Sequence, residues 1–84
     1  VLDVREAFEL MIASVPDVVH IPLGIVPLRA NELDGSHPVV VMCHHGGRSM
    51  AAAQWLSSHG HRQVFNLDGG IDAWSGLDPA IPRY

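Results

Sequence analysis

The chain is poor in several things, and each shortage narrows what it can be. It has no lysine: its five basic residues are all arginine, set against nine acidic ones, for a net charge of −4. A nucleic-acid binder carries a basic face or stripe, so no nucleic-acid partner is expected. It has one cysteine, Cys43, so no internal disulfide can form. Secreted domains of this size usually carry several, and a reducing, cytoplasmic setting is expected. It has no long apolar run, because Pro, Gly and His interrupt each one. No transmembrane span fits, and no membrane partner is expected. No charged-then-apolar leader is visible. The sequence opens on Val1, already inside a β-like run, so an upstream segment is expected to be missing.

What is present suffices for one small domain over residues 1–84. Hydrophobic residues make up 48% of the chain, enough for a core, although small domains bury proportionally less surface. Four short β-branched runs recur: Val1–Val4, Val18–Ile21, Val39–Met42 and Val64–Leu67. Helices are predicted between and after them. Arg5 to Ser14 places Phe8, Met11 and Ile12 on one face. A second piece starts at Pro27, carries Leu28 and Leu33, and ends near Gly35. The strongest runs from Ser49 to His59, with Ala51, Ala52, Trp55 and Leu56 facing inward and Gly60 as the stop. The last spans Gly70 to Ser75, with Ile71 and Trp74 three apart. The Pro-punctuated tail from Asp78 to Tyr84 reads as extended. Alternating strands and helices imply an α/β fold, a parallel sheet with helices on both faces. Ligands in such folds bind beyond the carboxyl ends of the strands.

Cys43 stands at such an end, in Val39-Val40-Val41-Met42-Cys43-His44-His45-Gly46-Gly47-Arg48-Ser49. A lone buried cysteine is commonly an inert small hydrophobe. Here a helix N-terminus and cationic neighbours favour the thiolate, the reactive form. Gly46 and Gly47 supply the backbone freedom for N–H groups to curl around one anion. Arg48 offers a fork of donors to an anionic substrate, or makes a structural ion pair, for instance with Asp3. Ser49 caps the helix or donates its hydroxyl to the loop, capping being the preferred reading. His44 and His45 shape the loop and its charge. No metal site is expected, since closed zinc sites need four well-spaced ligands. His59 and His61 flank a glycine and read as surface turn residues. Asp3 and Arg5 share one strand face near the loop, as supports for it or as purely structural residues.

These residues resemble the rhodanese (sulfurtransferase) domain family, in its small single-domain bacterial form. Leu2-Asp3-Val4-Arg5-Glu6 is similar to the family's early strand motif, and His20-Ile21-Pro22-Leu23 to its next segment. Cys43 to Ser49 is similar to its active-site loop, and Gly69-Gly70-Ile71-Asp72-Ala73-Trp74 to its late G-G-x-x-x-W element. The resemblance implies a sulfurtransferase in which Cys43 is the nucleophile. It takes sulfane sulfur from a donor such as thiosulfate or a persulfide and passes it to cyanide, a thiol or a protein acceptor. The N–H groups of His44, His45, Gly46, Gly47, Arg48 and Ser49 would cradle the persulfide, with Asp3 and Arg5 behind them. No metal or organic cofactor is implied. The family's first strand and helix, ahead of the Leu-Asp-Val-Arg segment, are absent, so an uncovered sheet edge is expected.

Three other functions compete. Related phosphatases and arsenate reductases use Cys-x₅-Arg, but Cys43 and Arg48 are spaced Cys-x₄-Arg, which suits one sulfur better than a phosphate. A non-enzymatic binding or regulatory module is the second, since fold alone does not give function. A redox-sensing thiol is the third, without a resolving cysteine in the chain.

Overall fold

All four β-branched runs become strands, although three are trimmed at their ends. The computed structural model describes every residue from Val1 to Tyr84. The strands are β1 (Leu2–Asp3), β2 (Val19–His20), β3 (Val39–Met42) and β4 (Val64–Asn66). They form one parallel sheet in the order β2-β1-β3-β4, with Leu2 beside both Val19 and Val41, and Val41 beside Asn66. The trimmed ends still continue the ladder. Val4 N–H donates to Met42 O at 2.9 Å and Leu67 N–H to Val41 O at 2.9 Å.

The helices are α1 (Ala7–Ile12), α2 (Val26–Arg29), α3 (Gly47–Ser58) and α4 (Gly70–Leu77). Single 3₁₀ turns at Leu23–Ile25 and Ala30–Glu32 flank α2. The predicted Pro27–Gly35 helix is therefore broken into short turns, with Val26 buried and Leu28 exposed. α1 is shorter than Arg5–Ser14, because Arg5 folds back onto Asp3 and Ala13 is extended. Its Phe8, Met11 and Ile12 face is the outer one: Phe8 is 65% and Met11 89% exposed, while Glu9 is buried. α3 starts two residues early and buries Ser49, Ala52, Ala53 and Leu56; Ala51 faces solvent.

Alternation along β3 divides the core between the two faces of the sheet. Val39 and Val41 join Leu2, Val4 and Ile21 beneath Val26 of α2 and Ala52, Ala53 and Leu56 of α3. Met42 points the other way, to Ala13, Val15, Ile71 of α4 and Ile81. Each fully buried Val, Leu, Ile or Met among them contributes about 1.5–3 kcal/mol. Helices thus cover both faces. The tail is not simply extended. Ile81 N–H donates to Asp78 O at 3.1 Å and its side chain is buried, which turns Tyr84 back toward the sheet.

The chain leaves β1 for β2 on one side and returns to β3 on the other. Strand order therefore reverses between β1 and β3, the place where ligands bind in open α/β sheets. Both Cys43 and the Asp3–Arg5 segment lie at that end. No helix is long and apolar enough to cross a membrane.

Candidate active site

Cys43 follows the last residue of β3 and is only 1% exposed. Gly46 N–H donates to its sulfur at 3.0 Å. Burial pushes the thiol up, but hydrogen bonds from the Ser49 hydroxyl and the N–H groups of Ser49, Gly46 and His45 outweigh it. The thiol is left more acidic than usual. Gly46 N-caps α3 at φ 113°, a conformation that favours glycine. Gly47 does not need to be glycine: it is the first helical residue, has no left-handed φ, and a Cβ there would meet nothing within 4 Å.

The loop is held from outside by α4. Ile71 N–H donates to Cys43 O at 2.9 Å and Asp72 N–H to His44 O at 3.0 Å. These are free donors of a helix N-terminus, used here to fix two loop carbonyls. The approach is close enough to dictate Gly70, which adopts φ 58°. A Cβ there would stand 2.3 Å from Cys43 O and 2.6 Å from His44 O.

Arg48 does not reach Asp3. Its two terminal nitrogens donate to Glu9 Oε1 and Oε2 at 2.5 and 2.8 Å. Glu9 Oε1 also accepts from Glu6 N–H at 3.2 Å and Oε2 from the Tyr84 hydroxyl at 2.8 Å. Arg48 beside it, then the Tyr84 and Glu6 donors, outweigh burial and hold the Glu9 carboxyl down at about 2. Asp3 pairs instead with Arg5 at 2.7 Å, both fully buried. Arg5 also donates to Ala13 O at 2.9 Å and to the Tyr84 hydroxyl at 2.7 Å. The side-chain hydrogen bonds of Asp3 and Arg5 therefore reach the loop by way of Tyr84, Glu9 and Arg48.

Ser49 is not the helix cap, a position taken by Gly46. It lies one turn in, where its hydroxyl faces Asn66 Oδ1, Gly46 O at 3.1 Å and the Cys43 sulfur. Asn66 Nδ2 donates to Gly46 O at 3.2 Å. That bond orients the amide so that its oxygen, not its nitrogen, faces Ser49.

His44 is sandwiched between rings. Tyr84 stacks on it at 3.8 Å and His45 at 3.9 Å. Its Nε2 meets the Tyr84 main-chain oxygen at 2.5 Å. His59 is exposed and stacks on Trp55. His61 is not a surface residue: it is 8% exposed, and its Nδ1 has no partner.

The structure thus places Cys43, His44, His45 and Gly46 in the loop and Gly47, Arg48 and Ser49 in the first turn of α3 beside it, and adds three residues that sequence reasoning missed. Asn66 and Tyr84 carry no local signal. Glu9 carries a faint one, as an acid three residues after Glu6 at a helix start.

Comparison with known proteins supplies the family. The family described as rhodanese-like domain matches residues 1–77. A protein of Allochromatium vinosum named sulfurtransferase is 35% identical over 84 residues, covering 98% of this chain and 78% of its own length. YrkF of Bacillus subtilis is 45% identical over 76 residues; the match covers 90% of this chain but 41% of that protein. Among solved structures, a rhodanese-related protein from Thermoplasma volcanium superposes with a TM-score of 0.85 at 36% identity, covering 90% of this chain and 75% of that one. Helices on both faces of a parallel sheet, a cysteine loop at the strand-order reversal and a match over nearly the whole chain agree: this chain belongs to the rhodanese-like domain family, a sulfur-transfer family.

Proposed function

We propose that this domain transfers sulfane sulfur through a persulfide on Cys43. The observation that carries the reading is the Gly46 N–H donating to the Cys43 sulfur at 3.0 Å, with the N–H groups of His45 and Ser49 and the Ser49 hydroxyl adding to the pull that makes the thiol more acidic. Such donors stabilise a thiolate before reaction and a persulfide after it. The thiolate attacks the outer sulfur of thiosulfate or a persulfide donor. The donor S–S bond breaks, and sulfite or a thiolate leaves with the bonding pair. The outer sulfur of Cys43–S–S⁻ now carries the negative charge. A thiol, cyanide or protein thiolate then attacks that sulfur, and Cys43 departs as thiolate. This is covalent catalysis with two half-reactions.

Arg48 favours sulfur over phosphate as the cargo. The Cys-x₄-Arg loop is one residue short of the phosphatase pattern, and both terminal nitrogens of Arg48 are already held by Glu9. Arg48 therefore braces the loop and keeps a positive charge near the sulfur. The chemistry needs a reduced thiol and fits a reducing compartment, the cytoplasm.

Intact-mass spectrometry after thiosulfate tests the proposal. The protein gains one sulfur atom on Cys43, loses it to cyanide, and gains none as Cys43→Ser. Absence of an adduct with every sulfane donor tried, or steady hydrolysis of p-nitrophenyl phosphate, overturns it.

A further inference from the structure

We propose that His44, His45 and Asp72 form a binding site for a divalent transition cation of the zinc type, at the outer rim of the Cys43 loop. The inference goes beyond sulfur transfer and does not require it. One ligand atom from each of the three side chains lies within 4.8 Å of the others. Two imidazoles and a carboxylate are a donor set that zinc and its neighbours accept, with a fourth position left for water or an anion.

A second observation supports the same side chains. A ligating histidine usually fixes its tautomer by donating its other N–H to a carbonyl or carboxylate. His44 Nε2 lies 2.5 Å from the Tyr84 main-chain oxygen. A main-chain oxygen only accepts, so Nε2 is the donor in this bond and Nδ1 is the ring nitrogen left for a cation. The Tyr84 ring stacked at 3.8 Å holds that orientation. His45 is exposed, so its ring, stacked on His44 at 3.9 Å while no cation is bound, can turn to aim a nitrogen at the ion.

Asp72 completes the set through the fold and not through sequence proximity. Its N–H is bonded to His44 O at 3.0 Å, which pins the first turn of α4 to the loop. Its carboxylate meets Arg83 at 2.9 and 3.3 Å, on the solvent side, with the Arg83 side chain 63% exposed. Arg83 neutralises the carboxylate while no cation is bound and swings away at small cost when one is, because exposed ion pairs are weak. Cys43 is not among the ligands. A cation seated here would stand over the loop without bonding its sulfur.

Zinc titration of the full, untagged chain tests this, with the Cys43→Ser variant included to remove the thiol. The expected result is one Zn²⁺ per chain in both proteins. Affinity falls at least about tenfold in His45→Ala and, separately, in Asp72→Asn. His37→Ala and His59→Ala stay within about twofold of the parent. Both ligand variants lie on exposed or half-exposed positions, and unchanged urea midpoints confirm their folding. Co²⁺ as a spectroscopic probe gives d–d bands without a thiolate charge-transfer band. Loss of binding in Cys43→Ser, a thiolate band with Co²⁺, or unchanged affinity in both His45→Ala and Asp72→Asn overturns the proposal. None of these readouts depends on turnover, so failure of the sulfur-transfer reading leaves the test intact.

Discussion

Glu9 of α1 holds Arg48 of α3 by both terminal nitrogens, at 2.5 and 2.8 Å, across the end of the sheet. The pair fastens the first turn of α3 to a helix on the opposite face. Glu9 is nearly buried while the Arg48 side chain is 37% exposed. Removing the carboxylate therefore leaves Arg48 able to reach water but strips the Tyr84 hydroxyl of its acceptor. Glu9→Ala is expected to cost about 2 kcal/mol, less than a fully buried pair would, read as a lower urea midpoint. The loop loses its brace, so persulfide formation on Cys43 slows as well.

The same carboxylate sets an acid limit. Its proton binds at about 2 in the folded chain, against an ordinary 4.5. The unfolded chain thus takes up a proton first as pH falls. Stability from this group is complete above about pH 4.5 and is lost as pH drops toward 2. With Arg48 partly in water the loss is discounted to about 1–2 kcal/mol. Urea denaturation between pH 6 and 3 shows this fall in the parent, and Glu9→Gln flattens it.

Gly70 and Gly47 stand in sequence motifs of equal prominence, yet only one is required. A Cβ at Gly70 would collide with two loop carbonyls, at φ 58°. Gly70→Ala is expected to cost more than about 3 kcal/mol or to displace the loop. Gly47→Ala meets open space at a helical position and raises stability by about 0.5 kcal/mol. Thermal melts of the two variants moving in opposite directions confirm the difference; equal destabilisation refutes it.

That contrast shows where sequence reading stops. Strand positions were legible because Val and Ile cluster in runs with turn residues between them, and Cys43 followed from its place after such a run. Helix faces were less so. Phe8, Met11 and Ile12 are spaced for an inner face, yet tertiary packing turns Glu9 inward to meet Arg48 and Tyr84. Arg48 was expected to choose between substrate and Asp3, and its acceptor lies 39 residues away on α1. Asn66 and Tyr84 reach the loop only after β4 pairs with β3 and the tail turns at Ile81. Local pattern carries no record of these long-range meetings.

Ser49 links the loop to its chemistry, and its removal gives a direct test. The hydroxyl has one proton and three acceptors in reach: Asn66 Oδ1, Gly46 O and the Cys43 sulfur. A thiolate, being charged, draws a hydrogen bond worth about 1.5–3 kcal/mol, more than either neutral oxygen. Ionisation of Cys43 therefore pulls the proton toward sulfur. In Ser49→Ala the backbone donors remain but the hydroxyl is gone, so the Cys43 thiol becomes less acidic than in the parent. The rate of alkylation by iodoacetamide, followed against pH, reports this as a shift of its midpoint to higher pH. Persulfide formation at neutral pH drops about tenfold and recovers in alkaline buffer, because a smaller thiolate fraction is the only defect. Ser49→Thr keeps the hydroxyl and restores the midpoint. A Ser49→Ala midpoint equal to that of the parent would mean that the N–H groups of His45, Gly46 and Ser49 alone hold the charge.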